Sequence, residues 1–199
     1  MMIEPERKGA MTKIEVTKRA GKQRQIIVVG AGPVGCYTAQ MLRRSGLNAL
    51  LIEEHKEVGK PVHCAGLVGR KVLEESLFPI PGDVILNTIN GARIHCGKKI
   101  IDICREKVAY VIDRERFDKA LSCELDIRYE TKFLGLERSG RKRACGYIVE
   151  TDKGEIPADI VIGADGALSP VRATAGLNGK VTYSRGVQFR IEMKPWVVD

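Results

Sequence analysis

Three glycines, Gly30, Gly32 and Gly35, stand in the string VVGAGPVG, directly after the apolar run Ile26 to Val29. A carboxylate, Glu53, follows Gly30 by 23 residues. This spacing suits the binding of a dinucleotide. Gly30 permits a tight turn, Gly32 lets a pyrophosphate approach the backbone, and Gly35 lets the following helix lie close to the sheet. Pro33 and Val34 lead from that turn into the helix, whose first N–H groups and partial positive charge favour phosphate. Glu53 closes the next strand, where a carboxylate accepts both hydroxyls of an adenosine ribose and repels a 2′-phosphate. FAD or NAD is expected there, and not NADP. Glu54 takes the role if the strand ends one residue later.

A second candidate group is Cys64, in GKPVHCAGLVG, set among proline, small residues and glycines with no second cysteine close by. The six cysteines (Cys36, Cys64, Cys96, Cys104, Cys123 and Cys145) show no CxxC spacing. Without a secretory signal, such thiols are expected reduced in a cytoplasm. The dipeptides His63-Cys64 and His95-Cys96 make poor metal chelates, because neighbours on an extended chain point to opposite faces, so no metal is expected.

These groups need elements to hold them. Ile26 to Val29 reads as a strand buried on both faces, and Val34, Tyr37, Met41 and Leu42 recur with helical spacing up to Arg44. Gly46 stops that helix, and Ala49 to Ile52 forms the next strand. A short helix is expected from Arg70 to Leu77. The stretch VILNTINGARIHCGKKIIDICREKVAYVID then alternates like antiparallel strands. The chain does not continue with another helix and a third apolar parallel strand, as a simple NAD dehydrogenase would. DRERFDKALSCEL is a helix with Phe117, Leu121 and Leu125 on one face, and a hairpin turns at TDKG. Ile160 to Ile162 is a further buried strand ending near Asp165 and Gly166, after which Ser169 caps a short helix with Pro170 in its first position. The fold class is α/β, a Rossmann-like nucleotide-binding domain with an inserted antiparallel β layer. Residues 25–80 and 107–178 are assigned to the nucleotide-binding domain, and 81–106 and 179–199 to a partial substrate-binding β domain.

Lys and Arg number 33 against 25 Asp and Glu, giving +8. Residues 1–24 hold seven of the bases and three of the acids, and read as a solvated basic extension without the apolar core of a signal peptide. No apolar run approaches the ~20 residues of a membrane span. Aromatics are 5% and the remaining basic run is RKR at 141–143, so nucleic-acid binding is not expected.

The ordered set VVGAGPVG, LLIEEH, PVHCAGLVG, YVIDRERFDKAL and ADIVIGADGALSPVR resembles the N-terminal half of the geranylgeranyl reductase family. That family lies within the FAD-dependent superfamily typified by p-hydroxybenzoate hydroxylase. The resemblance runs from about Ile26 to about Met193. The glycine and Asp-Gly motifs are shared across the superfamily, and the PxxC(A/S)G loop points to the reductases. It implies that Gly30, Gly32, Pro33, Val34 and Gly35 hold the FAD pyrophosphate, Glu53 the ribose, and Arg114, Asp165 and Gly166 other parts of the cofactor. It implies that Cys64, Ala65 and Gly66 lie beside the flavin ring, with Cys64 donating or positioning a proton. The implied reaction is reduction of C=C bonds in geranylgeranyl chains of archaeal membrane lipids, with NAD(P)H or ferredoxin as electron donor. An isoprenoid lipid substrate, peripheral membrane contact, and a C-terminal half or partner chain are the implied partners. Another flavoprotein oxidoreductase or monooxygenase of the superfamily, or a non-catalytic FAD-binding module, are the other readings the motifs admit.

Overall fold

In the computed structural model, residues 24–139, 146–177, 179–189 and 192 are described. Residues 1–23 of the basic extension and the RKR run lie outside them. Strand β1 (Ile26–Val29), helix α1 (Pro33–Arg44) and strand β2 (Ala49–Ile52) form the expected unit, and Gly46 ends α1 with φ of 75°. Next come β3 (Leu67–Gly69), the single turn α2 (Lys71–Glu74), β4 (Ile85–Cys96) and β5 (Lys99–Ile112). Helix α3 (Arg114–Ser122) is followed by β6 (Asp126–Arg128), β7 (Phe133–Arg138), β8 (Tyr147–Thr151), β9 (Gly154–Ala158), β10 (Ile160–Gly163) and α4 (Pro170–Thr174).

Three sheets result. The parallel sheet runs β10-β1-β2-β6, the antiparallel set β7-β8-β9 is a second sheet, and β3-β5-β4 is a third. Every residue of β1 is buried, and alternation along it sends side chains to two different cores. Ile27 and Val29 pack with Phe133, Val149 and Ile156 of the β7-β8-β9 layer. Val28 packs with Cys36 and Ala39 of α1 and Phe117 and Leu121 of α3. The parallel sheet is thus covered by helices on one face and by strands on the other. This double cover explains the unbroken β-branched run.

Two expectations change. The predicted helix over Arg70 to Leu77 is only Lys71–Glu74, because Ser76 turns back on Phe78, whose carbonyl accepts its hydroxyl at 2.9 Å. A third strand does join β2 in parallel, but it arrives after the β4-β5 excursion and α3, as Asp126–Arg128. Its polar, three-residue sequence carries no strand pattern. Its pairing comes from position beside β2.

Candidate functional site

The carboxyl ends of β1, β2 and β10 open into a cleft of about 460 Å³, the usual ligand position in such sheets. At its floor the glycine turn is tightly packed. A Cβ on Gly35 would lie 1.9 Å from the Gly30 carbonyl oxygen, and one on Gly30 would lie 2.5 Å from that of Ala164. A Cβ on Gly32 would meet nothing within 4 Å. The first two glycines are therefore demanded by the fold itself, and the third borders open space. Helix α1 starts there with no side-chain cap and no acid in its first turn, so its first N–H groups are left for an anion. Beneath the turn, the Cys36 thiol donates to the Ala31 carbonyl at 3.0 Å. Burial, reinforced by the charges of Asp118 and Glu53, pushes this thiol up to about 12, so it stays neutral.

Glu53 is directed into the cleft with only 11% of its side chain exposed. One carboxylate oxygen accepts the Ala31 N–H at 2.7 Å, and the other lies 2.6 Å from Nδ1 of His55 and accepts the His55 N–H at 3.1 Å. Glu54 lines the same cleft but is exposed and makes no such contact. His55, Thr131 and Lys132 also line this end. The buried Thr131 donates its N–H to the Glu53 carbonyl at 2.8 Å. Thr131 and Lys132 had no sequence signal, since only the crossing from β6 to β7 brings them beside Glu53, whereas His55 stands two residues from it in LLIEEH.

The other end is built by the cysteine loop. Gly66 adopts φ of 73°, and a Cβ there would sit 2.2 Å from the Ile112 carbonyl oxygen. The Gly66 carbonyl accepts the Ile112 N–H at 2.9 Å, which fastens the loop to the end of β5. Arg114 begins α3 two residues later, capped by Asp113, whose carboxylate accepts the Arg116 N–H at 3.1 Å. Cys64 and Arg114 consequently share the cleft. The Gly66 N–H donates to the Cys64 sulfur at 3.5 Å. This bond lowers the thiol's pKa; partial burial opposes it, and Arg114 adds to the lowering. Arg114 makes a two-pronged pair with Asp118, Nε to Oδ1 at 3.2 Å and the second nitrogen to Oδ2 at 3.1 Å. Burial works against the Arg114 charge, and Asp118 overcomes it so that the proton is held more firmly than usual. Burial also raises Asp118, against the pull of Arg114.

Gly30, Gly32, Pro33, Glu53, Glu54, Cys64, Arg114, Asp165 and Gly166 all line this one cleft. Val34, Gly35, Ala65 and Gly66 do not: Val34 and Ala65 are exposed, and Gly35 and Gly66 shape the turn and loop from behind. The Asp165 carboxylate accepts the Ser169 hydroxyl at 2.6 Å and the Val171 N–H at 2.8 Å, so it holds α4 against the cleft wall.

A profile of the NAD(P)-binding Rossmann-like domain matches residues 28–70, the glycine turn through the cysteine loop. A digeranylgeranylglycerophospholipid reductase of Methanosarcina acetivorans is 36% identical over 170 residues, 77% of this chain and 40% of the relative. One from Thermoplasma acidophilum is 32% identical over 186 residues, 87% of this chain and 47% of the relative. Among solved structures, a geranylgeranyl bacteriochlorophyll reductase-like protein from Thermoplasma acidophilum superposes with a TM-score of 0.62 at 30% identity, covering 73% of this chain and 40% of that one. The chain is a homologue of the digeranylgeranylglycerophospholipid reductases, with the same Rossmann-like α/β fold, and it spans about two fifths of their length.

Proposed function

We propose that this chain is the nucleotide-binding part of an FAD-dependent reductase of C=C bonds in isoprenoid phospholipids. The observation that carries this reading is the convergence, in one cleft, of an uncapped helix start, an oriented Glu53 carboxylate and the Cys64–Arg114 pair. The residues fit FAD. Open space above Gly32 admits a pyrophosphate, and Glu53 suits an adenosine ribose. Arg114, held by Asp118 through Nε and one terminal nitrogen, brings an always charged group with N–H donors to spare to the cleft wall. The names of the relatives supply the substrate class: they are called reductases of a digeranylgeranyl glycerophospholipid.

Reduced FAD, when bound, supplies a hydride to an alkene carbon. An isolated alkene accepts hydride poorly, so a proton must reach the other carbon, and that is the part assigned to Cys64. Its lowered pKa makes it a readier donor than an ordinary thiol. Arg114 stabilises the thiolate left behind, and Asp118 keeps Arg114 in place. The Gly66 anchor sets the sulfur's position, which matters because proton transfer demands hydrogen-bond reach.

The test is the visible spectrum of the purified chain after gel filtration with added FAD, beside Gly32→Val. A retained flavin band that the variant loses is expected. Mass spectrometry of an unsaturated diether phospholipid incubated with the chemically reduced holoprotein then reads the gain of two hydrogens per double bond. No flavin retained by the unaltered chain overturns the FAD reading, and flavin without hydrogen gain overturns the reductase reading.

A further inference from the structure

Glu53 meets N–H donors of its own chain on both carboxylate oxygens. Oε2 accepts the Ala31 N–H at 2.7 Å, while Oε1 accepts the His55 N–H at 3.1 Å and faces His55 Nδ1 at 2.6 Å. An ionised carboxylate only accepts, so Nδ1 carries the proton in that contact. The backbone around both residues is fastened. The Glu53 N–H donates to the Arg128 carbonyl at 3.0 Å, the Glu53 carbonyl accepts from Thr131 at 2.8 Å, and the His55 carbonyl accepts from Glu130 at 3.1 Å. Carboxylate and imidazole are therefore both tied to the crossing from β6 to β7, and Ala31 ties the carboxylate to the glycine turn as well. His55 lines the same cleft as Glu53, so its ring competes with a ligand for Oε1.

A carboxylate offers about four acceptor positions, two on each oxygen. Among the described residues three are taken, both on Oε1 and one on Oε2, which leaves one position on Oε2. We infer that His55 is a positioning residue that sets nucleotide specificity: its imidazole closes Oε1, so Glu53 accepts one ribose hydroxyl of a bound nucleotide, through Oε2, in place of both. The inference rests on the reading that the cleft takes the adenosine end of FAD, and it narrows how that end is recognised. Removing the imidazole reopens one position on Oε1. The carboxylate then offers a position on each oxygen, which is what two neighbouring hydroxyls require. The N–H groups of Ala31 and of residue 55 belong to the backbone, so they go on holding the carboxylate when the ring is gone.

The experiment is titration calorimetry of the full chain with adenosine diphosphate, its 2′-deoxy analogue and its 3′-deoxy analogue. The three probes share the diphosphate, and each analogue lacks one hydroxyl. With the unaltered chain, one analogue should bind within about twofold of adenosine diphosphate and the other about tenfold or more weakly, the loss of one hydrogen bond to a charged group. With His55→Ala, both analogues should bind about tenfold or more weakly than adenosine diphosphate binds to the same variant. His55→Asn should restore the single preference, because its amide brings an N–H donor to the place of Nδ1. A merely structural role would lower all three affinities together and leave their ratios unchanged. Two weakened analogues with the unaltered chain, or none, overturn the inference. So does a His55→Ala pattern like that of the unaltered chain, or a His55→Asn pattern like that of His55→Ala. Failure of the cofactor reading looks different. Adenosine diphosphate bound in the expected pattern with no flavin retained removes the FAD reading and leaves the role of His55 standing, whereas no binding of either ligand by the unaltered chain overturns both.

Discussion

Gly32 and Gly35 are three residues apart in one motif, yet the structure gives them different duties, and substitution should separate them. At Gly32 the backbone has φ of −67°, open to any L-residue, and an added methyl meets nothing within 4 Å. Gly32→Ala should therefore leave the cofactor-free protein as stable as before, or raise stability by the ~0.4–1 kcal/mol that alanine gains over glycine at a compatible site. The methyl would instead stand in the space assigned to the pyrophosphate, and flavin retention should fall. At Gly35 the methyl would overlap the Gly30 carbonyl oxygen at 1.9 Å and crowd the Ala164 side chain at 3.3 Å. Both neighbours are part of the packed turn, so the backbone must move, at about 1–3 kcal/mol or more. For a domain of this size that lowers Tm by roughly 2–12 °C. Thermal denaturation without cofactor, followed by gel filtration with FAD, reads both effects. The reasoning is refuted if Gly32→Ala melts as early as Gly35→Ala, or if it holds flavin as tightly as the unaltered chain.

Cys64 should react with iodoacetamide at a lower pH than a free thiol, since its thiolate is favoured by the Gly66 N–H and then by Arg114. Arg114→Met should move that pH profile upward, and mass mapping of the alkylated peptide distinguishes Cys64 from Cys96, Cys104 and Cys123. The sign for stability follows. A depressed folded pKa gives stabilisation that is present above the unfolded thiol value and lost as pH falls through the folded one. Asp118→Asn leaves the half-buried Arg114 without its carboxylate and should lower stability by about 1–3 kcal/mol, read by urea denaturation, while Asp83→Asn, which loosens only an exposed pair with Arg116, should change it by under about 1 kcal/mol. Ile27→Ala, in the fully buried centre of β1, should cost about 2–5 kcal/mol in the same assay.

The parts of this fold that could be read from sequence are those with short-range causes. β1, the glycine turn, α1 and β2 depend on neighbours within thirty residues, and each appeared within a residue of its expected place. Ser169 capping α4 and the turn at Asp152 and Lys153 are equally local. What was hidden depends on long-range pairing. β6 is a strand because β2 offers it an edge, and β3 because β5 does. The amphipathic reading of α1 placed Val34 with the apolar set, but Val34 is 69% exposed, and the face that packs is Gly35, Cys36 and Ala39. Small residues let this helix approach the sheet, and a scale that rewards large apolar side chains misses them.

The same distinction applies inside the site. The end built on the glycine turn was legible because its turn, helix and acid are one continuous segment. The Cys64 end was visible only as two unrelated strings, PVHCAGLVG and YVIDRERFD, separated by the whole hairpin excursion. The 2.9 Å bond between the Gly66 carbonyl and the Ile112 N–H joins them, and Arg114 follows from it because α3 starts where β5 stops. The hairpin's base thus positions the thiol's partner, while its tip lies out in solvent with two lysines and three isoleucines. The base and the tip can therefore be tested independently. Changes at Lys98 to Ile101 act far from the loop anchor and should leave the alkylation profile of Cys64 unmoved, whereas Gly66→Ala, strained by both φ and the Ile112 carbonyl, should shift that profile toward an ordinary thiol. If the tip substitutions moved the Cys64 profile as much as Gly66→Ala does, the hairpin would have to transmit a change along its full length, and the division between an independent tip and a positioning base would fail.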